Sequence, residues 1–148
     1  MRDVAVKIVP FTDDTKESVL REATLLSSIS DDNIIKMYRS YTSGNYLVMH
    51  LEYFRGETMS EYIARTGSVN SHHARRILDS LSEAIRYLHS KGISHNDIHT
   101  GNVLINGNRE IKLIDFGDAS EATRTSRSND LTMLDDLFET MRSGREWM

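Results

Sequence analysis

The 148-residue sequence contains no cysteine. Disulfide bridges and thiolate zinc sites are therefore excluded, and the absence fits a reducing compartment. Proline is nearly absent as well: Pro10 is the only one. There is no excess of positive charge. Eighteen Lys and Arg against 22 Asp and Glu give a net charge of -4, which implies no basic surface for nucleic acid. No apolar run approaches the roughly 20 residues needed to cross a bilayer, so no membrane span is expected. The opening stretch MRDVAVKIVPF has too short an apolar run for a secretory signal. What is present is ordinary, 39% hydrophobic and 27% charged residues. That suffices for one compact domain, or for two small lobes sharing a cleft.

Periodicity divides the chain into elements. In VAVKIV (Val4 to Val9) β-branched residues alternate, which predicts a strand. Val4, Val6 and Ile8 share one face, and Lys7 lies on the other with Ala5 and Val9. Pro10 ends it. Asp14, followed three residues later by Glu17, is a candidate helix cap, and Val19, Ala23, Leu26 and Ile29 then mark one helical face with Glu22 beside it. NIIKMYRSY and NYLVMHLEYF, separated by TSGN, predict an antiparallel hairpin. RGET breaks that pattern. SHHARRILDSLSEAIRYLHSKG is the clearest helix, with a stripe of Ala74, Ile77, Leu78, Leu81, Ile85 and Leu88 and a stop at Gly92. His72 and His73 are adjacent on it and face different directions, which argues against a shared metal. VLI and IKLI flank NGNRE, where Asn106-Gly107 predicts a tight turn. The polar stretch from Asp118 to Asp130 is expected to be a loop. A last helix then carries Leu131, Leu134, Phe138 and Met141 and ends at Gly144. With strands at the front and helices behind, the fold class is α+β in two layers or lobes.

The chemistry concentrates in ISHNDIHTGNVLI (Ile93 to Ile105), a polar centre between apolar ends. Asp97, Asn102 and Asp115 each adjoin an apolar run and so sit on a defined scaffold. Two carboxylates and an amide oxygen are hard donors that suit magnesium carrying phosphates. Lys7 can neutralise phosphate charge, and Glu22 can hold it in place as an ion pair. Phosphoryl transfer needs mainly such positioning and electrostatic stabilisation.

On these motifs the sequence resembles the protein kinase superfamily over nearly its whole length. VAVK looks like the lysine strand, and REATLLSSISDDNIIKMY like the helix and strand that carry its partner, Glu22. LEYFRGETMSEYI looks like the hinge that receives adenine through backbone groups near Glu52, Tyr53 and Phe54, with Ala5 on the facing strand. YLHSKGISHNDIHTGNVLI looks like the catalytic loop, and LIDFGDAS like the metal-binding triplet. The resemblance implies a two-lobe fold with a reduced sheet lobe over residues 1–53 and a truncated helical lobe over 54–148. It implies ATP and Mg2+ as cofactors, Asp97 as the residue that takes or orients the acceptor proton, and Asn102 and Asp115 on the metal. Asp130 matches the aspartate that opens a core helix and braces the catalytic loop, and His95 is a packed structural residue. The acceptor it implies is a hydroxyl, first a serine or threonine of a protein. The expected location is cytoplasmic, or the host cytosol for a viral or effector protein.

Three departures accompany the resemblance. Only MRD precedes VAVK, so the family's glycine-rich loop does not lie within this sequence, as expected of a fragment, of a loosely held nucleotide or of lost catalysis. The long activation segment and its Ala-Pro-Glu anchor are missing too. Asn96 replaces the usual arginine before the catalytic aspartate, which removes a reader of activation-loop phosphorylation. His99 stands where serine/threonine kinases usually carry lysine, and the Asp-x-His pattern is similar to that of aminoglycoside and choline phosphotransferases and of the atypical kinase haspin. Two alternatives follow: a kinase-fold binding module without transfer, and a small-molecule phosphotransferase.

Overall fold

The structure is a computed structural model that describes residues 3–144. Met1 and Arg2 of the opening MRD, and residues 145–148 of the expected helical lobe, lie outside the described residues. The first sheet is built from β1 (Val4–Pro10), β2 (Met37–Ser43) and β3 (Tyr46–Glu52), in the antiparallel order β1-β3-β2. The expected hairpin is β2 and β3. Ser43 pairs with Tyr46 across Gly44 and Asn45, and Gly44 takes the positive φ of 57° that this short connection needs. On β1 the alternation is real, and its apolar face is the exposed one: Val4, Val6 and Ile8 are 40%, 52% and 58% exposed. Lys7 and its neighbours turn inward.

Helix α1 (Lys16–Ser27) packs beneath this sheet with Glu22, Ala23 and Leu26 buried. Its start corrects the expected Asp14 cap. The chain already turns at Thr12, whose carbonyl accepts the Lys16 N–H at 2.8 Å. Thr12 and Thr15 bond each other's backbone N–H groups through their hydroxyls, so Thr15 precedes the helix and Asp14 caps nothing.

Beyond Gly56 the chain forms β4 (Glu57–Thr58) and α2 (Met59–Thr66). This helix was not expected. Its signal was the T-x-x-E of a capping box, in which the Thr58 hydroxyl accepts the Glu61 N–H and Glu61 accepts the Thr58 N–H. Helix α3 (Ser71–Ser90) follows an Asn70 cap and buries Ala74, Ile77, Leu81, Ile85 and Leu88. Its sequel is β5 (Ile93–Ser94), then the pair β6 (Val103–Ile105) and β7 (Ile111–Leu113).

The turn between β6 and β7 lies where Asn106-Gly107 predicts it, closed by the Arg109 N–H on the Asn106 carbonyl at 3.0 Å. Ile105 pairs with Ile111, so all of NGNRE is loop. The Asn106 side chain organises it by accepting from the Asn108 and Glu110 N–H groups. The left-handed residue is Arg109, with φ 63°, rather than Gly107.

The last helix also begins earlier than expected. After β8 (Ser120–Glu121), α4 runs from Arg124 to Ser143 behind a Thr123–Ser126 capping box, and Gly144 ends it at φ 71°. Residues 124–130 are therefore helical rather than loop, because a Thr cap overrides their polar composition. Leu134, Leu137 and Met141 form the buried stripe, while Leu131 is 52% exposed.

One hydrophobic core runs through sheet and helices, including Leu26, Met49, Leu81, Leu113, Phe116 and Met141. Backbone bonds stitch the two parts: Ile35 N–H to the Leu113 carbonyl at 3.0 Å, and Leu113 N–H to the Asn33 carbonyl at 2.8 Å. The architecture is α+β, as expected. No helix among the described residues is long and apolar enough to cross a membrane.

Candidate active site

A cleft of about 380 Å3 opens between the first sheet and the β6–β7 pair. That volume suits a small ligand. Ala5, Lys7, Glu22, Glu52, Tyr53, Phe54 and Asp115 all line it, so seven of the residues singled out in the sequence meet at one place. Leu26, Ile35, Leu51, Gly56, Leu104 and Ile114 complete its wall. Periodicity marked most of these only as core, and nothing in it distinguishes a core residue from one at a cleft mouth. Glu52 is the last residue of β3, paired with Val4. Tyr53 and Phe54 lie past the sheet ladder. The Glu52 carboxylate stands 3.3 Å from Lys112 and accepts the Lys36 N–H, which fixes the strand end at the cleft.

At the inner end, Lys7 Nζ is 2.8 Å from Glu22 Oε2 and 3.4 Å from Asp115 Oδ1. Alternation on β1 turns Lys7 inward, and α1 brings Glu22 beneath it. The Glu22 side chain is only 5% exposed. Its Oε2 also accepts the Phe116 N–H at 3.1 Å, so one buried carboxylate ties the lysine to the backbone after Asp115. Asp115 has φ 59°, a left-handed conformation that is uncommon outside glycine and enriched in Asp and Asn. Its Oδ1 accepts the Gly117 N–H at 3.0 Å. Burial disfavours ionisation of this carboxyl, but the Gly117 N–H and the Lys7 ammonium outweigh it and hold its pKa below the ordinary value. The group is an anion at neutral pH.

Asp97 and Asn102 form a second cluster that does not line the cleft. Asn102 Nδ2 donates to the Asp97 carbonyl at 2.8 Å and to Asp97 Oδ2 at 2.9 Å. Both partners are acceptors, so the amide orientation is determined and Oδ1 is left as a free oxygen donor. The clusters are joined by the Ile114 N–H, which donates to the Asn102 carbonyl at 2.9 Å. Asp115 follows directly.

The loop carrying Asp97 is held from below. His95 is fully buried and packs edge-on against Phe116, with ring centroids 4.8 Å apart. Its Nδ1 accepts the Asp97 N–H and its Nε2 faces the Ile114 carbonyl at 2.9 Å. The ring is therefore the neutral Nε2–H tautomer. Burial pushes its pKa down, against the Ile114 carbonyl and the nearby carboxylates. Asp130, also fully buried, receives the His95 and Asn96 N–H groups at 3.0 and 2.9 Å and His89 Nε2 at 2.8 Å. It braces the loop from inside α4 rather than opening a helix. Asn96 takes φ 71°, and its amide donates to the Asp118 carbonyl and the Ser120 hydroxyl. The residue that replaces arginine thus fastens the short segment 118–123 by neutral hydrogen bonds. Nothing in the sequence pairs Asn96 with Asp118 and Ser120, because their contact depends on the fold.

His73 is buried and His72 exposed, so the two do face different directions. No group of three or more His, Asp or Glu among the described residues is arranged to hold a metal by itself. The Asn102 amide oxygen and the Asp115 carboxylate are hard oxygen donors, the type that suits an ion keeping several waters.

Comparison with known proteins accords with this arrangement. The family model described as protein kinase domain matches residues 1–147. The serine/threonine-protein kinase SIK1 of Rattus norvegicus is 32% identical over 117 residues, covering 77% of this chain and 15% of the relative. CBL-interacting protein kinase 1 of Oryza sativa subsp. japonica is 32% identical over 101 residues, 68% of this chain and 22% of its own length. The serine/threonine-protein kinase PrkC of Bacillus subtilis is 32% identical over 129 residues, with 84% and 20% covered. The chain thus spans between 15% and 22% of the length of these curated relatives.

Proposed function

The chain belongs to the protein kinase domain family, and from that premise we propose that it transfers the terminal phosphoryl group of ATP to a hydroxyl, first a serine or threonine of a protein. The observation that carries the proposal is the Lys7 ammonium held between the Glu22 and Asp115 carboxylates at 2.8 and 3.4 Å. The apolar outer cleft, lined by Ala5, Leu51, Tyr53, Phe54 and Leu104, suits a flat adenine. Lys7 meets the phosphates, with Glu22 fixing its amine.

Magnesium, when bound, supplies a Lewis acid that neutralises charge on phosphate oxygens. The Asn102 amide oxygen and the Asp115 carboxylate would hold it, and both are hard oxygen donors available at neutral pH. Asp97 orients the acceptor hydroxyl and takes its proton as the oxygen bonds to the terminal phosphorus and the bond to the leaving ADP breaks. Asn102 keeps the Asp97 carboxylate from rotating.

The test is transfer from labelled ATP with magnesium, offered a generic basic protein and, separately, an aminoglycoside. The proposal expects label on the protein, lost in Asp97→Ala and in Asp115→Ala. Label on the aminoglycoside alone would replace the acceptor class. No transfer and no thermal shift with ATP and magnesium would turn the reading to a binding module.

A further inference from the structure

His99 lies two residues beyond Asp97, and its environment is specific. The Gly101 N–H donates to His99 Nδ1 at 3.0 Å. Nδ1 is therefore an acceptor, and in the neutral ring the proton sits on Nε2. Nε2 lies 3.4 Å from Asp97 Oδ1, long for a hydrogen bond but close enough for an N–H dipole to act on a carboxylate. Asn102 Nδ2 is 3.2 Å from the same nitrogen. It does not compete, because both of its protons already go to Asp97 at shorter distance. Asn102 thus donates to Oδ2 of Asp97, while His99 Nε2 stands nearest the other oxygen, Oδ1, at 3.4 Å.

The ring occupies this place only because residue 101 has no side chain. A Cβ on Gly101 would stand 2.8 Å from His99 Cε1 and 3.0 Å from Nδ1. Gly101 is not among the glycines with positive φ. The neighbouring imidazole, and not the backbone conformation, is what demands glycine here. His99 also lines a separate cavity of about 620 Å3 together with Ser60, Ile98, Met133 and Asp136.

We infer that His99 is a positioning residue for Asp97 and that Gly101 sets it: the Gly101 N–H selects the imidazole tautomer, and the Nε2–H fixes one oxygen of the catalytic carboxylate. The inference rests on the phosphotransfer reading for its kinetic consequence and on geometry for the rest.

Gly101→Ala is the informative variant, because it displaces the ring without removing any polar atom. In the full chain, Gly101→Ala and His99→Ala should each lower kcat by about 10- to 100-fold, with KM for ATP within about twofold of the parent. The double variant should be no worse than His99→Ala, since Gly101 acts only through the ring. His99→Gln, which keeps an N–H near Asp97, should recover part of the loss. Independent losses that multiply in the double variant would overturn the inference.

A second readout does not need turnover. Nitrogen-resolved NMR of the imidazoles should report the Nε2–H tautomer for His99 and its loss in Gly101→Ala, and the Asp97 carboxyl carbon resonance should move in His99→Ala. An Nδ1–H tautomer, or an unmoved Asp97 resonance, would overturn the inference whether or not phosphate is transferred. The expected spectra in a chain that transfers no phosphate would sustain the positioning geometry while refuting the proposed function.

Discussion

Replacing Asp130 by asparagine changes almost no volume, yet the structure makes it a severe substitution. Asp130 is fully buried, and its carboxylate accepts three donors: His95 N–H and His89 Nε2 on Oδ2, and Asn96 N–H on Oδ1. An amide offers one acceptor oxygen. With that oxygen in the Oδ2 place, the Asn96 N–H faces an NH2 group; turned over, two donors do. At least one buried N–H therefore loses its acceptor, at about 1–3 kcal/mol, and the remaining bonds lose their charge assistance, roughly 1 kcal/mol each. The expected loss is about 3–5 kcal/mol, against a total stability on the order of 5–15 kcal/mol. Urea denaturation should show a midpoint lower by about 1–3 M at an unchanged slope. Amide exchange at His95 and Asn96 should accelerate with it. His89→Ala should cost less, because both backbone donors keep their acceptor. An Asp130→Asn midpoint equal to the parent's would refute the claim that this carboxylate braces the loop carrying Asp97.

Other perturbations separate folding from chemistry. Lys7→Met should lower phosphate transfer by about 10²–10³-fold with a small change in melting temperature, since Lys7 is one-third exposed; transfer at the parent rate would remove the lysine from the mechanism. Gly56→Ala should destabilise by about 1–3 kcal/mol, because its Cβ would stand 2.5 Å from the Ile105 carbonyl oxygen; a parent-like denaturation curve would contradict that packing. Burial holds the His95 and His73 imidazoles below the ordinary value of 6.5. The unfolded chain then binds more protons than the folded one just below pH 6.5, so stability is full above that value and falls on acidification toward pH 5. Denaturation midpoints that rise between about pH 7 and pH 5 would reverse the sign assigned to the buried histidines.

The sequence was most informative where period and chemistry coincided. Alternation placed Lys7 on one strand face with Ala5 and Val9, and helical period placed Glu22 beside the helix stripe. Which strand face turns inward was not legible, because the more apolar one, Val4, Val6 and Ile8, is exposed. The resemblance supplied the Lys7–Glu22 pairing. The catalytic-loop motifs were legible because Asp97, Asn102 and Asp115 lie close in sequence and adjoin apolar runs. Helix starts were harder to read. Asp14 offered a cap that Thr12 and Thr15 preempted, and the polar residues 124–130 hid a helix whose cap, Thr123, lay upstream. The Asn106-Gly107 signal located the turn, and what it did not specify is the longer loop that the Asn106 side chain gathers around itself. Asn96 with Ser120, and His89 with Asp130, are contacts between distant segments, which periodicity cannot encode. His99 and Gly101 are close in sequence, but their mutual fit is steric and becomes visible only with coordinates.

The most direct test of the central claim is a crystal of the full chain grown with a non-hydrolysable ATP analogue and manganese. The account predicts an anomalous peak shared by the Asn102 amide oxygen and the Asp115 carboxylate, phosphates against Lys7, and the purine ring between Ala5 and Leu104. Manganese bound elsewhere, or a cleft filled by water at saturating nucleotide, would contradict it.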